Sequence, residues 1–111
     1  MSGDEERTPI RVRVDPMLEP IMDRYLEIRR REQKDLANAL AAEDMPLLAE
    51  IAHRIKGSAA AYGLKELDRK ARELEQAAVA QEVKTCAEII AFLDDYMDRL
   101  EVTFGHKRSS T

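Results

Sequence analysis

Four segments of this chain carry apolar residues that recur mainly at steps of three and four, the spacing that places side chains along one side of an α-helix. The four sets are Ile21, Tyr25, Ile28, Leu36 and Leu40; Leu48, Ile51, Ala52, Ile55 and Ala59; Leu64, Leu67, Ala71, Leu74 and Ala78; and Val83, Cys86, Ile90, Leu93, Met97, Leu100 and Phe104. Narrow stripes of this kind must be buried against other helices. The pattern therefore predicts helices that pack on one another with shallow crossing angles.

Helix start and stop signals divide the segments. Asp15 and Pro16 suit the beginning of the first helix, although Pro20 favours a regular start only after a short first turn. That helix is expected to end near Ala42, and Asp44 is expected to cap the second. Gly63 follows the second stripe and is typical of a helix C-terminus.

The size and composition of the chain agree with these signals. It has 111 residues, 5 % aromatic residues and only four glycines, enough for one core and typical of a helical protein. Short connections make neighbouring helices antiparallel. We predict an all-α fold: an antiparallel, up-down-up-down four-helix bundle over residues 15–104 with an extended N-terminal arm.

The two ends are expected to lie outside the bundle. Residues 10–14 alternate as an extended segment, but a lone five-residue strand without a partner in the chain is not stable. Residues 1–14 are therefore predicted to be a flexible arm, and pairing of this segment with another protein is the alternative. Residues 105–111, which include His106, are predicted to be a disordered tail.

Charge and residue usage exclude several classes of function. A net charge of −4 argues against a nucleic-acid-binding protein, which needs a basic face. A single cysteine excludes an internal disulfide and a cysteine-based zinc site. No signal peptide and no apolar run of membrane-spanning length are visible, so we expect a cytoplasmic protein without membrane insertion.

The second helix carries the most unusual surface. His53 lies one residue beyond the apolar stripe, which rotates its side chain by about 100° towards solvent. By helical spacing its outward face also carries Ala49, Lys56, Gly57 and Ala60. Glycine inside a helix costs ~1 kcal/mol relative to alanine, so Gly57 indicates that another molecule approaches the backbone closely there. This face is predicted to be a docking site.

Metal binding and hydrolytic catalysis fit this segment poorly. Glu50 and His53 have the spacing of two ligands in di-iron bundles, but a second such pair is missing because Thr103 stands three residues before His106. Ser58 has no accompanying base, and its hydroxyl is expected to bond to a helix carbonyl. No glycine-rich phosphate-binding loop precedes any helix, which excludes an autonomous ATP-dependent kinase.

Other residues receive structural interpretations. Residues 29–35 of the first helix are strongly charged and are expected to form a solvated face, with a basic rim that attracts an acidic partner as the alternative. Tyr62 is expected to pack at the end of the second helix, although it could contact a partner. Core positions are expected for Cys86, Met22, Met45 and Met97.

The central block also carries a family resemblance. The motif His53-x-x-Lys56-Gly57-Ser58, followed by Gly63, Leu67 and the pair Leu74-Glu75, resembles the signature of histidine-containing phosphotransfer (HPt) domains. The similarity extends from about Asp15 to Leu100. Domains of this family are four-helix bundles that pass a phosphoryl group between response-regulator receivers through one histidine.

The resemblance implies a role for each motif residue. His53 would accept a phosphoryl group on Nε2 from a receiver aspartate or a kinase and pass it to a response-regulator aspartate. Lys56, and more weakly Arg54, would neutralise phosphoryl charge. Gly57 would admit the receiver loop, flanked by Ala49, Ser58 and Ala60. Glu75 would border the docking surface, and Gly63 would be structural.

The resemblance also implies the partners. These would be response-regulator receiver domains and a sensor or hybrid histidine kinase, with the chain acting as a monomer. The receiver would supply Mg²⁺, so the chain would need no metal or cofactor of its own. The rival interpretation is an interaction module, a helical bundle that binds a receiver or another signalling protein without carrying phosphate.

Overall fold

The fold is a four-helix bundle closed at one end by a small sheet. The structure, a computed structural model, describes residues 8–105 of the chain. Its elements are β1 (Ile10–Val14), a 3-10 turn (Pro16–Leu18), α1 (Glu19–Ala41), α2 (Met45–Ala61), α3 (Lys65–Val79), α4 (Val83–Arg99) and β2 (Leu100–Phe104). The predicted four-helix bundle is confirmed, and the two strands are an addition to it.

Side-chain caps hold the helix starts where the sequence predicts them. The Asp15 carboxylate accepts a hydrogen bond from the Met17 N–H at 2.9 Å, ahead of the short turn that precedes α1. The Asp44 carboxylate accepts from the Leu47 N–H at 3.1 Å and caps α2. Each cap satisfies a backbone donor that the helix itself leaves unpaired.

Gly63 ends α2 in the way its position predicts. Its φ angle is +77°, a conformation in which glycine lacks the steric cost of a Cβ. Its N–H donates to the Ala60 carbonyl at 3.1 Å and the Leu64 N–H to the Ala59 carbonyl at 2.9 Å. This paired pattern satisfies the last carbonyls of the helix and turns the chain into α3.

The two glycines of this segment are expected to respond oppositely to alanine. Gly63→Ala should lower the free energy of unfolding by about 1 kcal/mol or more, because alanine is strained at positive φ. Gly57→Ala should raise it by about 1 kcal/mol, because Gly57 is helical and a Cβ there would meet nothing within 4 Å. Urea denaturation of both variants checks this, and a shift of the same sign in both would contradict it.

The end of the chain differs from the prediction. The fourth helix ends at Arg99 and residues 100–104 form β2, which pairs in parallel with β1 so that Ile10 faces Leu100 and Val14 faces Phe104. The extended conformation of residues 10–14 is confirmed, but the expectation that the chain offers no partner strand is wrong. Leu100 and Phe104 fit a helical stripe, yet with Val102 between them they also alternate as a strand, and their inner side packs on the core.

The apolar stripe predicted for α1 is buried at Tyr25 and Leu36 but wrong at two other positions. Ile21 and Ile28 are 47 % and 38 % exposed, whereas Met22 is buried beside Tyr25. Further along the same side, Arg29 is buried among core residues. The prediction that residues 29–35 form a solvated face is therefore wrong at Arg29 and at Gln33, which is also buried, and Arg29 cannot belong to a basic rim.

The buried guanidinium of Arg29 is bound by two side chains of its own helix, one of which links it to α4. Its guanidinium donates to the Gln33 side-chain oxygen at 2.6 Å and to the Glu32 carboxylate at 3.4 Å. Gln33 in turn donates to Asp94 on α4 at 2.6 Å. Burial lowers the pKa of Arg29, and the Glu32 carboxylate opposes that shift.

The remaining core predictions hold. Cys86, Met22, Met45 and Met97 are buried, and Tyr62 packs by stacking on Tyr25 with ring centroids 3.9 Å apart.

None of the helices within residues 8–105 combines the length and the apolar character that a membrane span requires. Gly105 donates its N–H to the Val14 carbonyl at 3.0 Å. Residues 1–7 of the predicted arm and residues 106–111 of the predicted tail, with His106, lie outside the described residues.

Candidate functional site

His53 projects from the outer side of α2, as the helical spacing predicts. The neighbouring residues Ala52 and Ile55 are fully buried, whereas the His53 side chain is 65 % exposed. Its Nδ1 lies 3.0 Å from a carboxylate oxygen of Glu75 on α3. An ionised carboxylate can only accept, so Nδ1 carries the hydrogen and donates it. In this tautomer Nε2 keeps its lone pair on the other edge of the ring.

Glu75 also binds the lysine of the motif. Its second carboxylate oxygen lies 2.9 Å from the Lys56 ammonium nitrogen, so one carboxylate holds both side chains of α2. The Lys56 hydrogen bond, and after it the His53 bond, lower the pKa of Glu75, although desolvation opposes them. The carboxylate is therefore ionised at neutral pH and available as an acceptor.

Glu75 is thus more central than the sequence indicates. The resemblance predicts it only at the border of the docking surface, yet it contacts both His53 and Lys56. It can do so because Leu74, the preceding residue, is buried in the α3 stripe and turns Glu75 towards α2. The pair Leu74-Glu75 was the only sequence signal, since 22 residues separate Glu75 from His53.

The orienting role of Glu75 predicts a change in tautomer. Glu75→Ala removes the acceptor from Nδ1, so the fraction of neutral His53 that carries its hydrogen on Nδ1 should fall. Long-range ¹H–¹⁵N NMR of the ring nitrogens measures this fraction. Glu73→Ala is the matched control, because Glu73 pairs with Arg69 and Lys70 on the same helix and not with His53. An unchanged tautomer in Glu75→Ala would contradict the assignment.

Arg54 is held away from His53 on the side of α1. Its guanidinium lies 3.4 Å from the Glu50 carboxylate and 3.8 Å from that of Glu32. Glu32 also accepts from the buried Arg29, so one carboxylate links the core of α1 to the surface of α2. Arg54 therefore flanks the site with its charge already paired.

Ser58 points into the bundle rather than towards His53. Its hydroxyl donates to the Ile55 carbonyl at 3.2 Å, which confirms the predicted bond to a helix carbonyl. The same hydroxyl lies 3.0 Å from the Tyr25 hydroxyl, a contact that joins α2 to α1. Burial raises the pKa of Tyr25, so this hydroxyl stays protonated. Ser58 thus fixes the helix that carries the site.

The surface beside His53 on α2 is formed by residues with small side chains or none. A Cβ built on Gly57 would meet no atom within 4 Å, so packing within the described part of the chain does not require glycine there. Ala60 is exposed and Ala49 is half-buried. A rigid partner can therefore approach the ring closely along α2. Of the outward face predicted from helical spacing, His53, Gly57 and Ala60 are exposed, whereas Ala49 and Lys56 are half-buried.

These groups together allow one kind of chemistry. Nε2 is an exposed nitrogen with a free lone pair, on a ring that a hydrogen bond holds in one orientation. The Lys56 ammonium lies on the same side of α2, because it binds the same Glu75 carboxylate as His53. The site can attack an electrophile that a partner presents from solvent and can stabilise negative charge on it.

Comparison with known families adds one finding. The sequence model of the family described as Hpt domain matches residues 21–103, which is more than half of the chain and includes all four helices but the first two residues of α1. No curated protein and no solved structure matches the chain significantly. The matched range contains every residue of the site around His53.

Proposed function

The chain belongs to the Hpt domain family, and from this premise we propose that Nε2 of His53 is the atom that carries the phosphoryl group. Membership implies a phosphotransfer role in a phosphorelay and interaction with receiver domains. The observation that carries the choice of atom is the hydrogen bond from His53 Nδ1 to Glu75, which leaves the Nε2 lone pair free.

The proposed reaction is a displacement at phosphorus. The Nε2 lone pair attacks the aspartyl phosphate of a receiver, a nitrogen–phosphorus bond forms, and the phosphorus–oxygen bond to the aspartate breaks. The bonding electrons leave with the aspartate carboxylate. The imidazole gains positive charge, which the ionised Glu75 stabilises through Nδ1–H. The reverse reaction passes the group to a response-regulator aspartate.

Lys56 supplies a positive charge that stabilises the phosphoryl group during transfer. Negative charge spreads over the phosphoryl oxygens in the transition state, and an ammonium group has three donors. One donor can stay on Glu75, 2.9 Å away, while another turns to the phosphoryl oxygen. Arg54 would have to leave Glu50 and Glu32 to help, so its part is smaller.

The partner provides the remaining groups. The receiver's acidic residues hold Mg²⁺, and the chain contributes a positioned nucleophile without a cofactor of its own. We propose that it acts as a cytoplasmic monomer between a sensor or hybrid kinase and a response regulator. Light scattering coupled to size-exclusion chromatography tests the oligomeric state, and a stable dimer would overturn that part.

Transfer from receivers tests the function directly. The full chain is mixed with several receivers phosphorylated on aspartate with ³²P, and the label on the chain is followed. We expect acid-labile, base-stable phosphate, which is typical of phosphohistidine. Binding of a receiver without any transfer of label would instead identify an interaction module.

The docking role of Gly57 makes a separate prediction. Gly57→Leu places a bulky side chain beside His53, where a Cβ finds open space, so the fold should persist while the receiver is held away. Transfer from a receiver should slow by about 10-fold or more, since small misplacements of reacting atoms are costly. Labelling by the small donor phosphoramidate should not change, and equal slowing with both donors would contradict a docking role.

A further inference from the structure

A cleft of about 460 Å³ lies where β1 crosses the beginning of α3 and the last turns of α4. Its volume falls in the range of small-molecule sites, roughly 300–1,000 Å³. Its apolar lining includes Val12 of β1 and the rings of Phe92 and Tyr96 on α4. These two rings stack with centroids 6.4 Å apart, and Phe92 is 39 % exposed. The cleft thus offers the exposed part of the Phe92 ring, and the Lys70 ammonium lies over that ring 4.6 Å from its centroid.

A residue that lines the same cleft, Tyr96, carries a buried hydroxyl without a partner within residues 8–105. Tyr96 is only 3 % exposed, and its hydroxyl has no hydrogen-bond partner among the described residues. Glu66 also lines the cleft, but both of its carboxylate oxygens are bonded to Arg69. Burial raises the pKa of Tyr96, so the hydroxyl keeps its hydrogen and can donate it. Buried donors are normally satisfied, which makes this one a position for a ligand acceptor.

Two cations stand at the exposed side of the cleft. Arg13 and Lys65 both line it, and neither forms an ion pair within residues 8–105. Their neighbours differ, because Arg11 pairs with Glu101 and Arg69 pairs with Glu66 and Glu73. The open end of the cleft is therefore positive and suits an anion.

We propose that this cleft binds a small organic anion with a planar aromatic body. Its anionic group contacts Arg13 and Lys65, its rings lie against Phe92 and Val12, and an acceptor at its far end takes the hydrogen of the Tyr96 hydroxyl. The site uses none of the groups around His53 and is independent of the proposed phosphotransfer.

Three related probes separate the parts of this proposal. The compound 6-hydroxy-2-naphthoate has all three features, 2-naphthoate lacks the hydroxyl, and 6-hydroxy-2-naphthamide lacks the charge. Titrations of the full ¹⁵N-labelled chain follow the backbone amides of Val12, Gly63 and Phe92. The first probe should saturate with a dissociation constant of about 1 mM or lower. The second should bind about 5-fold more weakly, and the third about 10-fold more weakly.

Variants assign these differences to residues. In Tyr96→Phe the preference for the hydroxylated probe over 2-naphthoate should disappear, and the fold should persist because only an unpaired hydroxyl is lost. In the double variant Arg13→Gln, Lys65→Gln the preference for the charged probe should disappear. Arg11→Gln is the control, because Arg11 lies on β1 but pairs with Glu101, and binding should not change.

Three results would overturn the proposal. The first is a shift that stays linear up to 10 mM probe, about tenfold above the expected dissociation constant. The second is a saturable response confined to amides around His53. The third is an undiminished hydroxyl preference in Tyr96→Phe, since no other group lining the cleft is assigned to that contact.

Discussion

Replacement of His53 by glutamine should abolish labelling of the chain by a phosphorylated receiver. The substitution removes the attacking nitrogen, and a glutamine amide is not a nucleophile that can replace it. The side chain is 65 % exposed, so its replacement leaves no cavity and the fold should persist. The measurement is the amount of acid-labile ³²P on the chain, together with the helical circular dichroism of the variant.

The second histidine provides the control for this experiment. His106→Gln should leave labelling unchanged, because the contacts among His53, Lys56 and Glu75 do not involve that residue. If His53→Gln is labelled as strongly as the wild type, the assignment of His53 is wrong. A loss of label in the His106 variant would show that the residues beyond 105 take part in transfer.

Removal of Glu32 should destabilise the bundle more than removal of any other acidic residue near the site. Glu32→Ala takes the carboxylate from Arg29, whose guanidinium is fully buried. A buried charge that loses its partner is costly, and we expect the free energy of unfolding to fall by about 3 kcal/mol. Chemical denaturation followed by circular dichroism measures this loss.

Two further variants isolate the cause. Glu50→Ala removes the other carboxylate that pairs with Arg54, but Glu50 is 68 % exposed, and the cost should be below about 0.5 kcal/mol. Adding Arg29→Met to Glu32→Ala replaces the stranded charge by an apolar side chain and should restore much of the lost stability. Equal losses in the Glu32 and Glu50 variants, or no recovery in the double variant, would contradict this explanation.

Local signals in the sequence predict most of this fold. The stripes of α2, α3 and α4 follow from helical spacing, and the caps at Asp15 and Asp44 follow from short-range hydrogen bonds. Contacts between distant residues could not be read in this way. The buried Arg29 donates a hydrogen bond to Gln33, and Gln33 donates one to Asp94. Gln33 and Asp94 are 61 residues apart in the sequence. Hydrogen bonds between residues so far apart leave no periodic pattern in the sequence, so the burial of Arg29 and Gln33 cannot be predicted from it.

The same distinction holds at the strands and at the site. Leu100 and Phe104 satisfy a helical spacing and a strand alternation equally, and pairing with β1 decides between them. His53 and the small residues beside it can be predicted from the sequence because they share one helix. The contact of Glu75 with His53 depends on how α3 packs against α2, which is a tertiary fact.

The parallel pairing of β1 and β2 has a mechanical consequence. Because both strands run in the same direction, residue 8 leaves the sheet near Ile10 and residue 105 leaves it at the opposite end, beside Val14. A force that pulled these two points apart would slide the strands along each other. Such shear loads the hydrogen bonds of the ladder together, whereas a hairpin pulled from its open end breaks them one at a time. Tension applied at these two points would therefore have to shear the small sheet before it reached the helices.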